Sequence, residues 1–182
     1  MRIFHSIPWN TEKNIGVYYN DFMGLLTDDD WACFIDGDAV HTTTYFGKNI
    51  EEVIKDNPEY SLFTCKTNRV VVKYQIPNEV DVITNDQKYH REFGKKLWEE
   101  NKTTVTDITN SRLLSGVLLC LSKKSWLSVG GFDINNMLGV DNDIHMKMIT
   151  NNLKVGIMEG IYVQHWYRNG DNRDRSHLVK TK

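Results

Sequence analysis

Long apolar runs are missing from this chain. No stretch approaches the roughly 18 consecutive apolar residues that a membrane-crossing helix needs, and residues 1–8 carry too little apolar character for a secretory leader. No transmembrane segment and a cytoplasmic location are therefore expected. Cysteine is scarce: Cys33, Cys65 and Cys120 each lie in an apolar run, and none has the Cys-x-x-Cys spacing of a zinc site. Buried, reduced thiols are the expected state. Proline numbers three, and there is no Pro- or Gly-rich linker, internal repeat or low-complexity segment. That favours a single domain over residues 1–182, with 166–182 as a tail. Nor does one sign of charge dominate: a formal net charge of −2 gives no general attraction to nucleic acid or acidic membranes, so no nucleic-acid partner is expected. The 182 residues, 40% of them hydrophobic, are enough for one domain with a true core and few for two.

The chain is organised around Trp31-Ala32-Cys33-Phe34-Ile35-Asp36-Gly37-Asp38. Five apolar residues in a row suit a buried strand, and the acids at i and i+2 then fall on one side of an extended backbone. Neighbouring anions repel unless a cation or donor groups share them, and hard oxygen ligands suit Mg²⁺ or Mn²⁺. Taken alone the tripeptide reads equally as a carboxylate-rich turn, because Asp and Gly are favoured there.

Around this stretch, strands and helices alternate. Residues 2–7 read as a strand closed by Pro8-Trp9-Asn10, and residues 11–26 as an amphipathic helix with Thr11 as its cap. Asp28, Asp29 and Asp30 read as a solvated turn. A helix over 48–55, strands at 61–65 and 69–74, and a charged helix over 85–101 with one apolar stripe follow. The Thr-rich connection 102–112 has the polarity of a loop that could border an acceptor. A buried strand at 115–121, a capped short helix from Ser122, a helix starting near Asp141 and two strands at 153–158 and 160–165 complete the pattern. Such alternation predicts an α/β domain with a mainly parallel central sheet flanked by helices, its ligand crevice at the strands' C-terminal ends.

Several of these segments resemble the GT-A glycosyltransferases, especially the family 2-like enzymes. Their Asp-x-Asp after an apolar strand matches Asp36-Gly37-Asp38. Ile7-Pro8-Trp9-Asn10 is similar to the turn that ends their first strand, and Asn14-Ile15-Gly16-Val17-Tyr18-Tyr19-Asn20 to the start of the helix before the Asp-x-Asp strand. The sequence Ser115-Gly116, helix, Gly130-Gly131-Phe132-Asp133, then Asp141-Asn142-Asp143 resembles the C-terminal half of the same enzymes, including the galactosyltransferase-like group. Three departures stand out. The helix and strand that longer members carry between the first strand and this helix, with a base-contacting acid, are missing; Val140 stands where a Glu is usual, and Lys147 where an Arg is common.

The resemblance implies a compact single-domain GT-A fold and a metal-dependent, inverting transfer of a sugar from a nucleotide-sugar donor, expected to be a UDP-sugar, to a saccharide or other hydroxyl acceptor. It implies donor contacts from Pro8, Asn10, Asn14, Asn20, Asp36 and Asp38, a Mn²⁺ or Mg²⁺ held by Asp36, Asp38 and His165, and Asp141 as the base that takes the acceptor's proton. An acceptor hydroxyl holds its proton far above pH 7, so a carboxylate must receive it as the new bond forms. The residues also fit a helix N-cap at Asp141 and a dipole-complementing acid at Asp143. The Arg-rich residues 166–180 could close over a diphosphate, since Arg binds phosphate oxygens bidentately. A metal-dependent nucleotidyltransferase or phosphohydrolase, and a non-catalytic nucleotide- or sugar-binding module, use the same residue types.

Overall fold

The computed structural model describes residues 1–12, 14–111, 113–136 and 138–166. Strand β1 (Ile3–Ser6) leads through the Pro8 turn to helix α1 (Ile15–Gly24), then β2 (Trp31–Ile35), a tight turn and β3 (Ala39–His41). Helix α2 (Phe46–Asp56), β4 (Tyr60–Thr67), a 3₁₀ turn at Lys73–Gln75, helix α3 (Gln87–Asn101) and β5 (Val105–Asp107) come next. The remainder is β6 (Leu118–Ser122), α4 (Lys123–Ser128), α5 (Val140–Thr150) and β7 (Lys154–His165).

The α/β class is as expected, but the sheet is mixed rather than mainly parallel. Its order is β1-β2-β6-β4-β7-β3, with β5 also paired to β7. The β1–β2 and β4–β7 ladders are parallel, and those of β2–β6, β6–β4, β7–β3 and β7–β5 are antiparallel. Strands β1, β2, β4 and β7 thus run one way, with β6 inserted against them. An apolar run buried on both faces reads alike in either direction, so its connections decide. The start of β6 is tied down at the sheet's C-terminal edge, where the Ser115 amide donates to Gln75 and the Gly116 amide to Asp141, so the strand must run away from that edge.

Alternate residues of the strands feed two cores. Phe34, Leu119, Leu121 and Ile157 pack with Tyr19, Met23, Ile144 and Met148 beneath α1 and α5. Cys33, Phe63, Cys120 and Met158 pack with Ile50, Val53 and Ile54 of α2 on the other face. All three cysteines are buried and unpaired, as expected. Among the described residues no helix is long and apolar enough to cross a membrane.

Four local expectations change. Helix α1 is capped by Asn14, whose side chain accepts from the Val17 amide, and not by Thr11. Residues 69–74 do not continue the sheet. The chain leaves it after Thr67, and the β-branched residues 70–72 are used as a cavity wall. The two last strands are one, β7, with residues 159–161 bulging where β4 passes from Cys65 opposite Met158 to Lys66 opposite Tyr162. Asp28 and Asp29 are solvated, but Asp30 is buried. Arg2 grips it with two hydrogen bonds of 2.9 and 2.8 Å, and Thr27 donates from both its amide and its hydroxyl. The Arg2 bond, with Thr27 adding to it, holds the Asp30 carboxyl well below the usual range.

Helix α1 docks on the loop containing Phe132 and Asp133 through Gly16, where an added Cβ would lie 1.9 Å from the Asp133 carbonyl oxygen. Gly24, at the end of the same helix, has open space around it. Gly16→Ala is expected to cost about 1–3 kcal/mol by overpacking, whereas Gly24→Ala should raise stability by about 0.5–1 kcal/mol through helix propensity. Urea unfolding of the two variants measures both signs.

Candidate metal centre and active site

A cavity of about 540 Å³ is lined by the turn after β2, the end of β7, residues 70–72 after β4, the residues leading into β6 and the starts of α1 and α5. It contains Asp36, Asp38, Asp141 and His165, which are scattered over the sequence. Backbone pairing explains the first meeting. The turn after β2 is closed by a bond from the Ala39 amide to the Asp36 carbonyl, and β3 then pairs Ala39 with His165 of β7. The Trp166 amide donates to the Asp38 carbonyl one step further on. The two acids of the turn are thereby carried to the end of the last strand.

Asp36, Asp38 and His165 each present a ligand atom within 4.8 Å of the others. His165 Nε2 is 3.1 Å from Asp38 Oδ1 and 3.8 Å from Asp36 Oδ2. Its Nδ1 lies 2.7 Å from the Arg69 carbonyl oxygen. A carbonyl only accepts, so Nδ1 carries a proton, and in the neutral ring Nε2 offers a lone pair toward the acids. One imidazole nitrogen and two carboxylates suit a hard or borderline divalent ion such as Mn²⁺ or Mg²⁺, and the donor set fits the expected centre. Burial pushes the Asp36 carboxyl up to about 6, with Asp38 and Asp141 adding to the rise and His165 opposing it. About a third of its side chain still opens to the cavity.

Asp141 occupies the first turn of α5. Its Oδ2 accepts from the Gly116 amide at 2.9 Å and its Oδ1 from the Asn142 amide at 2.9 Å. Only a glycine allows this approach, since a Cβ at 116 would lie 2.9 Å from that of Asp141. Burial raises the carboxyl's affinity for its proton, and the two amides partly restrain it. The helix cap is Gly139, not Asp141. Asp143 is a first-turn acid, 2.8 Å from Lys147, whose ammonium also donates to the Gly131 carbonyl.

The other expected donor contacts lie apart from the four cavity groups. Pro8 is half-buried, and its turn runs beside the acids: Ile7 lies 3.6 Å from the position of a Gly37 Cβ. Asn10 accepts from the amides of Glu12 and Asn14. Asn14, besides capping α1, donates to the Ile134 carbonyl. Asn20 donates to the Phe132 carbonyl and accepts from the Phe132 amide and the Trp126 indole. These three asparagines bind protein groups, and the described cavity lining includes neither them nor Pro8. The start of α1 does reach the cavity, at Ile15 and Tyr19. The described part of the Thr-rich connection forms β5 and does not line the cavity, whereas Leu113 and Leu114 just beyond it do. The tail from residue 167 lies outside the described residues.

Residues behind the site carry no local sequence signal. Arg69 orients His165 through its carbonyl, while its guanidinium donates to the carbonyls of Val82, Ile83 and Thr84 and to the Asn85 side chain. Asn68 accepts from the His165 amide at 2.7 Å. No protein-family model matches the chain, and no curated protein matches it.

Two outcomes are expected. The raised Asp36 carboxyl binds its proton more tightly folded than unfolded, so the folded state carries the extra proton between the unfolded value near pH 4 and about pH 6. Asp36 therefore contributes metal-free stability that is lost as pH rises through that window, and His41, whose imidazole burial pushes down to about 4, acts in the opposite sense, so the Asp36 effect is the difference between wild type and Asp36→Asn. At pH 7 Asp36→Asn should stabilise the metal-free protein by about 1 kcal/mol, less than the full worth of the shift because solvent reaches the carboxylate. Chemical denaturation at pH 4.5 and 7 checks this. Arg69→Ala removes no ligand yet should weaken Mn²⁺ binding about 10- to 100-fold by releasing the carbonyl that orients His165. Mn²⁺ titration followed by electron paramagnetic resonance measures it.

Proposed function

We propose that the chain is a metal-dependent glycosyltransferase that moves a sugar from a nucleotide-sugar donor to an acceptor hydroxyl with inversion. The observation that carries this reading is the presence, in one cavity, of an Asp-Asp-His group able to hold a metal and a separate buried carboxylate, Asp141. The resemblance in the motifs points to a UDP-sugar as donor. Asp36, Asp38 and His165 would hold Mn²⁺ or Mg²⁺. The bound ion would supply positive charge against a diphosphate leaving group.

Asp141 is the base of this scheme. The amides of Gly116 and Asn142 fix its orientation; Oδ1 also accepts from the Asn142 side chain at 3.3 Å, and Oδ2 keeps a lone pair for the acceptor hydroxyl. Burial makes it a stronger base than a solvated aspartate. As it takes the hydroxyl proton, the acceptor oxygen bonds to the anomeric carbon from the face opposite the leaving group, and the carbon–oxygen bond to the diphosphate breaks with its electron pair leaving on the diphosphate. Attack from the opposite face gives inversion.

The test is thermal unfolding with a panel of nucleoside diphosphates, each with and without Mn²⁺, on wild type, Asp38→Ala and Asp141→Asn. A ligand at a hundredfold its dissociation constant should raise the midpoint by roughly 5–10 °C. The expected result is a metal-dependent rise with one nucleotide, lost in Asp38→Ala and kept in Asp141→Asn, which in turn loses sugar transfer. No rise with any nucleotide would sink the donor assignment.

A further inference from the structure

The cavity is lined by two unlike sets of side chains. One is ionic: Asp36, Asp38, Asp141 and His165. The other is aliphatic. Val71, Leu113 and Leu138 line the same cavity while remaining 63%, 48% and 54% exposed. Three large apolar side chains that line one cavity while left in water are of the kind that marks ligand contact.

Their placement ties them to Asp141. Leu138 precedes the Gly139 cap of α5, and Asp141 is in the first turn of that helix. Leu113 sits beside Leu114, whose amide donates to the Asn142 side chain at 2.9 Å. Val71 belongs to the wall that runs from Arg69, on which His165 leans, to Gln75, which binds Ser115 at both its amide and its carbonyl. The apolar rim therefore flanks the carboxylate assigned to the acceptor rather than forming a distant patch.

The chemistry of the rim restricts what enters. A molecule with hydroxyls on every side would have to bury most of them against aliphatic carbon, and an unpaired buried hydroxyl costs about 1–3 kcal/mol each. The described lining includes no Lys, Arg, Gln or Trp to meet them. Asn142 already uses its side-chain oxygen on Leu114 and its NH2 on Asp141. Away from Asp36, Asp38 and His165, the described side chains that can meet a hydroxyl are Asp141, Ser115 and the buried Tyr19, and the rest of the group carrying it meets carbon.

We infer that the acceptor presents its hydroxyl on an apolar scaffold, so that the aliphatic rim of Val71, Leu113 and Leu138 holds the scaffold while Asp141 receives the hydroxyl. This rests on the glycosyltransferase reading for the word acceptor. Recognition by the rim needs neither donor nor turnover, so it is tested separately.

The experiment compares octyl β-glucoside, below its micelle concentration, with methyl β-glucoside, which has the same hydroxyls and no chain. Protein labelled at its Val, Leu and Ile methyls is titrated with each and followed by nuclear magnetic resonance, with the methyls of Leu25 and Leu127, exposed elsewhere, as controls. The octyl probe is expected to bind at least about tenfold more tightly, the worth of fewer than two buried methylenes, and to shift Val71, Leu113 and Leu138 but not the controls. Val71→Ser and Leu113→Ser, at exposed positions that leave the fold intact, should each weaken it about threefold or more. Equal or stronger binding of the methyl probe, shifts centred on the controls, unchanged affinity in both serine variants, or no binding of either probe would overturn the inference. If the octyl probe behaves as expected while no nucleoside diphosphate binds, the apolar cleft stands and the donor assignment falls.

Discussion

The pairing of β3 with β7 is the constraint on which the candidate site depends. Side-chain attraction could not bring Asp36 and Asp38 together with an imidazole in the absence of a cation, because two carboxylates repel and a buried one is costly. Backbone hydrogen bonds do it instead. The three residues of β3 fix Ala39 opposite His165, and the turn before them has nowhere else to put its acids. The unfavourable cluster is held by a ladder whose stability comes from a sheet buried on both faces. The electrostatic cost at this candidate site is sustained by the surrounding fold.

The same logic extends outward in layers. His165 is oriented by a carbonyl of the segment following β4, and that segment is anchored by a guanidinium bonded to four groups of the loop before α3. Asp141 is oriented by an amide at the start of β6, and that start is bonded in turn to Gln75 of the 3₁₀ turn. Motif residues expected to contact the donor have a part in this as well. Asn14, Gly16 and Asn20 lock α1 to the loop through Phe132 and Asp133, which precedes the helix bearing Asp141. Their spacing is explained by packing between two segments more than a hundred residues apart.

This clarifies what could be read from sequence. Buried strands such as β2 and β6 announce themselves because five successive apolar or small residues have few other uses, and Asp36-Gly37-Asp38 stands out because two acids interrupt such a run. Strand direction does not announce itself, since a doubly buried run has no polarity, and the expectation of a mainly parallel sheet gives way to a mixed one for that reason. Residues 70–72 show the limit of composition: β-branched residues favour strands and cavity walls equally. Asp30 looked solvated because its partner, Arg2, is far away in sequence. The roles of Arg69, Asn68 and Gly116 depend on main-chain groups, which leave no trace in residue identity.

Strand β7 has one more consequence. Among the described residues it is the last strand in chain order, yet it lies inside the sheet, with β4 on one side and both β3 and β5 on the other. As the polypeptide emerges from the ribosome, β3, β4 and β5 have no common neighbour until β7 arrives, and they must wait with open edges and exposed apolar faces. Such late, long-range closure slows folding and exposes sticky intermediates. Because His165 ends this strand, the Asp-Asp-His group is assembled by the same event that closes the sheet. A divalent ion held by that group would then be a late sign that synthesis has produced a properly closed molecule.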